Sequence, residues 1–198
     1  MSQRGRVVGV VLAGGRALRL GGVDKGLLVY AGQPLVSYAC HALLAVTDTV
    51  VINANRNLAL YAQLGFEVLP DADTSFCGPL AGVLAAMRQC KAELLLVLPC
   101  DLPLVTSQHV QRLLSSYVAT GAEAVVAFDG QHLQPAVMAI STNVQGRLQA
   151  YLAAGERKLT HFLKQLTMVT VDFSATPAMF TNINTPEDLA WLVGHNAQ

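Results

Sequence analysis

A glycine-rich, basic segment lies near the start of the chain. Residues 12–26 read LAGGRALRLGGVDKG, in which five of the fifteen residues are glycine and Arg16, Arg19 and Lys25 are cationic. Glycines let backbone N–H groups approach a phosphate closely, and cationic side chains neutralise its charge. The segment contains neither the GxxxxGK-S/T pattern nor a clean GxGxxG pattern. A mobile surface loop would explain the glycines but not three clustered cations in a chain of zero net charge. The segment therefore predicts a long loop that binds phosphate.

Asp101 is the best candidate for a metal ligand. It follows the apolar run LLLVLP and lies between Pro99 and Pro103, which stiffen the backbone around it. Mg²⁺ commonly binds one or two carboxylates together with the phosphates of a substrate. A carboxylate held beside a phosphate-binding loop therefore predicts a magnesium site. The alternative is an aspartate that caps a helix or shapes a turn.

Polar side chains follow two other apolar runs. Asn53 ends the run VVIN, and Asp71 follows FEVLP. In open α/β sheets, ligands bind outside the carboxyl ends of the strands. If these strands are parallel, Asn53, Asp71, Asp101 and the glycine-rich segment lie along one edge. The alternative for each residue taken singly is an ordinary loop position, since aspartate and asparagine are common in turns.

Two later motifs supply further candidates. The motif AGERK places Arg157 and Lys158 beside an expected break between helices, where they either bind a second anion or lie at an exposed helix end. The motif NINTPEDL places Asn182 and Asn184 two residues apart, so both face the same way on an extended segment. These asparagines either line a site or shape a turn. The five histidines and four cysteines form no metal-binding pattern.

The segments that must position these residues alternate between strand and helix patterns through residue 121. Strands that are apolar on both faces and alternate with helices indicate a parallel sheet covered on both sides. Residues 122–140 then predict two strands joined around Asp129 and Gly130 as a hairpin, and a helical stretch over 143–166 has a break near Gly155. The other strands are predicted over 6–13, 48–54, 66–70, 93–99 and 168–173, and the other helices over 34–46, 57–64, 79–90, 107–120 and 185–194.

Local signals predict where several of these helices begin and end. Serine and threonine favour the N-cap, proline the first turn, and glycine the residue after the last turn. The sequence therefore predicts an α/β fold, Rossmann-like, with a mostly parallel open sheet, helices on both faces, and a single domain over 1–198. The expected start signals are Pro34, Ser107, Thr185 and Pro186, and the expected stop signals are Gly65 and Gly121.

Composition excludes several classes of protein. The chain has 198 residues, 53% of them hydrophobic, with thirteen basic and thirteen acidic side chains. Zero net charge argues against a general binder of nucleic acid or of a membrane surface, which needs a broad basic face. The apolar runs are too short to span a bilayer, and the N-terminus shows no cleavable signal pattern. We expect a cytoplasmic protein whose cysteines, which form no CxxC pair, are reduced thiols.

Six motifs, taken in order along the chain, resemble those of the molybdenum cofactor guanylyltransferases, the MobA family, within the nucleotidyltransferases that share the LAGG loop. The likeness extends from Val7 to about Leu192. Ala17 and Leu20 stand where relatives often have serine and methionine, and Lys158 stands where arginine is common. The motifs are LAGGRALRLGGVDKGLL, INANR, PLAGVLAAM, LPCDLP, AGERK and NINTPEDL.

The resemblance implies transfer of GMP from GTP to the phosphate of the molybdopterin cofactor, with release of pyrophosphate and with Mg²⁺ as cofactor. The acceptor phosphate, largely ionised near neutral pH, would be the nucleophile, so the protein need not supply one. By the same likeness Arg19, Lys25 and Asp101 would be catalytic, and Asp101 would bind the metal. The nucleotide would contact Leu12, Ala13, Gly14, Gly15, Gly22, Lys25, Asn53, Asp71, Gly78 and Asp101, and the molybdopterin side Arg157, Lys158, Asn182 and Asn184.

Guanine selectivity and the partners also follow from the likeness. A carboxylate such as Asp71 can accept from N1–H and N2–H₂ of guanine, a pattern that adenine and cytosine lack. Transient contact with cofactor-biosynthesis proteins and with acceptor molybdoenzymes is expected. Close alternatives are a cytidylyltransferase for the same cofactor and an enzyme acting on a sugar 1-phosphate. A more distant alternative is a non-catalytic, GTP-dependent carrier of the cofactor, which would not need a fixed Asp101.

Overall fold

The computed structural model describes residues 6–13, 24–71, 78–183 and Asp188. Its strands are β1 (Val7–Leu12), β2 (Val29–Tyr30), β3 (Gln33–Pro34), β4 (Thr49–Asn53), β5 (Glu67–Leu69), β6 (Leu94–Pro99), β7 (Ala124–Phe128), β8 (Leu133–Ser141) and β9 (Met168–Asp172). Its α-helices are α1 (Leu35–Leu44), α2 (Leu58–Ala62), α3 (Pro79–Gln89), α4 (Ser107–Thr120), α5 (Gln145–Ala153) and α6 (Leu159–Leu163).

Seven of these strands form one sheet, in the order β5–β4–β1–β6–β8–β7–β9. Strand β8 is antiparallel to both of its neighbours, while every other pair in this sheet is parallel. The expected hairpin around Asp129 and Gly130 is confirmed, because it joins β7 to β8 and Gly130 has a φ of +99°. The observed sheet confirms the predicted α/β fold with its mostly parallel open sheet.

Strand β1 shows why helices cover both faces of the sheet. Its alternate side chains point to opposite faces, as the pleat requires. Val8 and Val10 belong to the apolar cluster that contains residues of α3, α5 and α6, while Val11 belongs to the cluster that contains residues of α1 and α4. At Gly9 a Cβ would lie only 2.9 Å from Cβ of Leu43, so the glycine lets α1 approach the strand closely.

Two predicted helix starts were wrong by one residue. Pro34 is the last residue of β3 and the N-cap of α1, rather than a residue of its first turn. Thr106 is the N-cap of α4, while Ser107 is already helical. Thr106 prevails because its side chain bonds the backbone of His109 and the His109 ring in turn accepts from N–H of Thr106 at 3.0 Å, which closes a capping box.

One of the two predicted stop signals is confirmed, because Gly121 caps α4 in the left-handed region. Helix α2 ends at Ala62 with Gln63 as its C-cap, so Gly65, with a φ of +84°, lies three residues beyond the helix. The break near Gly155 separates α5 from α6. The helix expected over 185–194, with Thr185 and Pro186 at its start, lies outside the described residues except for Asp188, which is helical.

Two further expectations concern membrane helices and cysteines. Within the ranges that the structure describes, no helix has the length and apolar character needed to cross a bilayer. Cys40, Cys90 and Cys100 are free thiols, and Cys77 lies outside the described residues. Burial raises the pKa of the Cys40 thiol to about 12, so this thiol stays protonated at neutral pH and packs as an apolar side chain.

Candidate functional site

The carboxyl ends of four parallel strands meet at one edge of the sheet. Leu12 at the end of β1 lies between Asn53 of β4 and Pro99 of β6, and Asn53 in turn pairs with Leu69 of β5. The backbone continues this register beyond the strands, because N–H of Ala13 donates to Asn53 O at 2.8 Å. The residues that follow these strands are therefore neighbours, as the sequence predicts.

The first group of polar side chains on this edge is an ion-pair cluster, which consists of Lys25, Asp101 and Asn182. Nζ of Lys25 donates to Oδ2 of Asp101, and the two side chains are 18% and 17% exposed. With its amide nitrogen turned toward Asp101, Asn182 donates to both carboxylate oxygens, at 3.1 and 3.2 Å. N–H of Ile183 also donates to the backbone O of Asp101, at 3.2 Å. Residues from three distant parts of the chain therefore converge on one carboxylate.

The second group is an amide cluster, which consists of Asn53, Asn55 and Asp71. Nδ2 of Asn53 donates to Oδ1 of Asp71 at 2.9 Å, and Nδ2 of Asn55 donates to Oδ2 at 2.7 Å. Asn55 also accepts from the backbone N–H of Asp71 at 2.8 Å. Each oxygen of the Asp71 carboxylate therefore has an amide donor, which fixes the plane of the carboxylate.

Helix α3 packs directly behind the amide cluster. Asn53 is only 4% exposed and donates a second bond to Leu69 O at 3.0 Å. A Cβ at Gly82 would lie 2.1 Å from Oδ1 of Asn53, so only glycine lets the helix come this close. The PLAGVLAAM motif thus serves the site through its glycine, a contact that sequence reasoning missed.

Asp24 is a buried carboxylate next to Lys25, and sequence reasoning did not select it. It is 5% exposed and accepts from the Tyr61 hydroxyl at 2.5 Å and from Nδ2 of Asn57 at 3.1 Å. The available signal was its position, because Asp24 is the one acidic residue of the segment 12–26. Asn57 and Tyr61 gave no such signal, since nothing in the sequence shows that the start of α2 faces residue 24.

The AGERK motif makes local contacts. Nη1 of Arg157 donates to the backbone carbonyls of Leu152 and Glu156, both at 2.7 Å. Lys158 is the N-cap of α6, and its carbonyl accepts from the Tyr151 hydroxyl at 3.0 Å. These contacts match the interpretation of this motif as a helix end. Binding of a second anion by Arg157 and Lys158 stays a prediction.

Of the other predicted site residues, three lie within the described ranges and six lie outside them. Leu12 and Ala13 lie at the end of β1 beside Asn53, and Ala13 is buried. Gly78 is the N-cap of α3, with a φ of +96° and open space where a Cβ would stand. The residues that lie outside the described ranges are Gly14, Gly15, Arg16, Arg19, Gly22 and Asn184.

The donors that the structure describes around Asp101 fit a magnesium ion that a substrate helps to bind. Among the residues that the structure describes, no group of three or more His, Cys, Asp or Glu side chains could hold a metal. Asp101 offers one partly exposed carboxylate whose Oδ2 is bound to Lys25. One carboxylate plus phosphates is a common magnesium environment, so Asp101 could serve once Lys25 has a phosphate to contact.

An open, mostly parallel sheet with polar side chains gathered at its carboxyl edge defines an α/β protein of the nucleotide-binding type. The family described as the MobA-like NTP transferase domain matches residues 9–170. Because this match spans most of the chain, the chain belongs to that family of nucleotidyltransferases.

Individual relatives agree with the family. The chain is 44% identical over 178 residues to a molybdenum cofactor guanylyltransferase of Shewanella loihica, covering 90% of this chain and 91% of the relative. It is 41% identical over 187 residues to a protein of the same name from Shewanella amazonensis, covering 94% and 95%. The crystal structure of molybdopterin-guanine dinucleotide biosynthesis protein A from Archaeoglobus fulgidus superposes with a TM-score of 0.81 at 22% identity, covering 96% and 98%. This last likeness shows the fold.

Proposed function

We propose that this chain transfers GMP from GTP to the terminal phosphate of molybdopterin, as a molybdenum cofactor guanylyltransferase. An oxygen of the acceptor phosphate attacks the α-phosphorus of GTP, the bond between the α-phosphorus and the bridging oxygen breaks, and pyrophosphate leaves with that oxygen. Substrates supply both the nucleophile and the leaving group. The protein therefore has to align two polyanions and stabilise the charge that develops between them.

One observation carries the reaction class, namely the two clusters at a single edge of the sheet. The ion-pair cluster holds a cation and a carboxylate next to the end of the glycine-rich segment, which suits a triphosphate. The amide cluster holds a carboxylate with fixed orientation at the ends of β4 and β5, which suits the edge of a base. The relatives are named for guanylyl transfer and for molybdopterin-guanine dinucleotide, which supports GTP and molybdopterin as the particular substrates.

Guanine recognition is assigned to Asp71 within this proposal. An ionised carboxylate has about four acceptor sites, and the amides of Asn53 and Asn55 each occupy one. The remaining sites could accept from N1–H and N2–H₂ of guanine. Adenine and cytosine would leave this carboxylate without matching donors, which is the physical basis of strong discrimination.

The phosphate side is assigned to Lys25, with Arg19 from the glycine-rich segment, and the metal is assigned to Asp101. Bound Mg²⁺ would supply electrostatic stabilisation of the leaving pyrophosphate. Asn182 would orient the Asp101 carboxylate, because it donates to both of its oxygens. Backbone contacts to the nucleotide are assigned to Leu12, Ala13, Gly14, Gly15, Gly22 and Gly78, and the molybdopterin side to Arg157, Lys158, Asn182 and Asn184.

A substrate panel tests the proposal. Purified protein is incubated with molybdopterin cofactor, Mg²⁺ and one labelled nucleotide at a time, GTP, CTP or ATP, and the dinucleotide product and pyrophosphate are measured. Of the three nucleotides, we expect only GTP to give dinucleotide product, together with an equal amount of pyrophosphate. Chelation of Mg²⁺ should abolish both products. Product with CTP in place of GTP would indicate the cytidylyltransferase, and tight GTP binding without pyrophosphate would indicate the carrier.

A single domain, a cytoplasmic location and transient contact with the proteins that use the product belong to the same proposal.

A further inference from the structure

Asp24 is a buried carboxylate, and burial without hydrogen-bond donors would cost free energy. Its side chain is almost fully buried at 5% exposure. A buried charge is tolerated only where hydrogen bonds or a countercharge replace its hydration. Both oxygens of Asp24 have donors from one neighbouring segment, because Oδ1 accepts from the Tyr61 hydroxyl at 2.5 Å and Oδ2 from the Asn57 amide at 3.1 Å.

The Tyr61 hydroxyl keeps its proton and donates it to Asp24 in a hydrogen bond. Tyr61 is fully buried on α2, and burial together with the bond to Asp24 raises the pKa of the phenol above its ordinary value, so it stays protonated. Its hydroxyl also lies against the backbone of the adjacent segment, because a Cβ at Gly26 would stand 2.5 Å from it. The glycine at position 26 therefore lets Tyr61 reach Asp24.

The two residues that flank Lys25 are thus both fixed by Tyr61. Asp24 accepts a hydrogen bond from the Tyr61 hydroxyl, and Gly26 packs against the same hydroxyl. The backbone continues the constraint, because N–H of Leu27 donates to Asp24 O at 3.1 Å at the start of the single turn Lys25–Leu27. The Lys25 side chain starts from this fixed turn and ends on Asp101.

We propose that Tyr61 and Asn57 are positioning residues for the triphosphate site, because through Asp24 they fix the backbone from which Lys25 reaches its anionic partner. Neither residue needs to touch the nucleotide. The inference rests on the proposed function only in taking the ligand of Lys25 to be a nucleoside triphosphate. A long lysine side chain loses less entropy on binding phosphate when its backbone is already fixed, so the device should increase affinity for phosphates and leave the base contacts alone.

Tyr61→Phe tests this, because it keeps the ring and removes the hydroxyl. The measurements are the dissociation constants of GTP, of guanosine and of inorganic tripolyphosphate, on the purified full chain. We expect GTP and tripolyphosphate to bind roughly tenfold more weakly, since a charge-assisted contact is partly lost, and guanosine to bind as in the unaltered protein. A variant with lower Tm but unchanged binding of GTP and tripolyphosphate would show that the bond is structural only, and would overturn the proposal.

Two further variants keep the test decisive. Asn57→Gly removes the second donor while suiting the left-handed backbone at position 57, where φ is +51°, and we expect a smaller loss in the same direction. Thr47→Val is the matched control, because it also removes a buried hydroxyl, which donates to the carbonyls of Leu43 and Thr49. Thr47 lies just before β4, at the amino end of that strand and so at the opposite edge of the sheet. We expect it to lower Tm without changing the three dissociation constants. If Tyr61→Phe does not fold, the Asn57→Gly result decides.

A double variant shows whether Tyr61 acts through Lys25. If it does, Tyr61→Phe should have little further effect on tripolyphosphate binding in a Lys25→Ala background, because the two changes remove the same interaction. Fully additive losses would overturn the proposed route through Lys25. The unaltered protein separates this inference from the proposed function. Failure to bind GTP better than CTP and ATP contradicts guanine recognition, while tripolyphosphate binding still tests the positioning role.

Discussion

The amide cluster and the ion-pair cluster lie on the same edge of the sheet and hold their carboxylates in different ways. Asp71 of the amide cluster is held by two neutral side chains, Asn53 and Asn55, at 2.7 to 2.9 Å. Asp101 of the ion-pair cluster is held by the ammonium group of Lys25 and by Asn182. The amide cluster extends from the buried Asn53 to the exposed Asn55, whereas the side chains of Lys25 and Asp101 are both partly exposed to solvent.

This difference suits two tasks. Within the proposed function, two amide donors on short side chains, one of them buried, hold the Asp71 carboxylate in one geometry, which is what the recognition of a planar base requires. A partly exposed ion pair adds little to stability, because solvent screens it and the long lysine loses entropy when it is held. Its members can therefore exchange partners when a phosphate arrives. Changes in the ion-pair cluster should affect turnover more than folding, and changes in the amide cluster should affect selectivity and folding together.

Asp101→Asn tests the ion-pair cluster and should cause the largest loss of activity among these variants. The substitution keeps the shape of the side chain but removes the charge that attracts a metal ion. We expect guanylyl transfer to fall by a factor of about a hundred or more, since metal ions and fixed donors contribute several kcal/mol in the transition state. Stability should change by less than about 1 kcal/mol. Single-turnover rate and Tm are measured on the same preparation, and a destabilised but fully active variant would refute the metal assignment.

Lys25→Ala should give the next largest effect. A charge-assisted bond contributes roughly 1.5–3 kcal/mol, so we expect GTP binding to weaken about ten- to a hundredfold with little change in Tm. The loss should shrink as salt rises, because screening already weakens the contact in the unaltered protein. Arg147→Ala is the matched control, since Arg147 forms an exposed ion pair with Glu123 away from the site. Calorimetric titration at low and high salt checks both variants.

Gly82→Ala should affect stability and selectivity together. The added methyl group would lie 2.1 Å from Oδ1 of Asn53, so either α3 or the asparagine must shift. Overpacking of this kind costs about 1–3 kcal/mol, and a displaced Asn53 should weaken the preference for GTP over CTP. Gly146→Ala is the control, because nothing lies near its Cβ position in α5 and alanine favours a helix. Equal Tm values for the two variants would contradict the contact between Gly82 and Asn53.

Asn55→Ala should give the smallest effect and sharpen the comparison. It removes two hydrogen bonds with Asp71 at the exposed side of the amide cluster. Water can replace hydrogen bonds at this exposed position, so their net contribution is about 1 kcal/mol. The ratio of GTP to CTP affinity should therefore fall by several-fold while tripolyphosphate binding stays the same. A change in tripolyphosphate binding would mean that the two clusters are not separate.

The order of the elements was predictable from the sequence because the local signals agreed with one another. Apolar runs ending in Asn53, Asp71 and Asp101 indicated parallel strands, and the observed register brings these ends together. Gly121 and Gly155 marked helix ends through backbone conformations that glycine adopts easily. The insertion of β8 between β6 and β7 was not predictable, because a hairpin signal gives the pairing of two strands but not which of them meets the rest of the sheet.

Part of the site was beyond sequence reasoning for a related reason. Residue type and position identified Lys25 and Asp101, which the structure brings into contact, but their roles stay predictions. The contact of Tyr61 with Asp24 joins residues from separate elements, and no periodicity indicates which way an isolated tyrosine points. Asn55 was overlooked because it follows a strand in a polar turn, where asparagine is common.

The position of β1 between β4 and β6 has a consequence for how the chain folds during synthesis. The strand nearest the N-terminus pairs with β4, where Val8 meets Thr49, and with β6, where Val7 meets Leu94. Contacts between residues far apart in sequence form slowly, and domains generally fold as units while the chain emerges. The apolar stretch VVGVVL therefore leaves the ribosome long before its second neighbour exists, and this half of the sheet cannot close until Pro99 has been made.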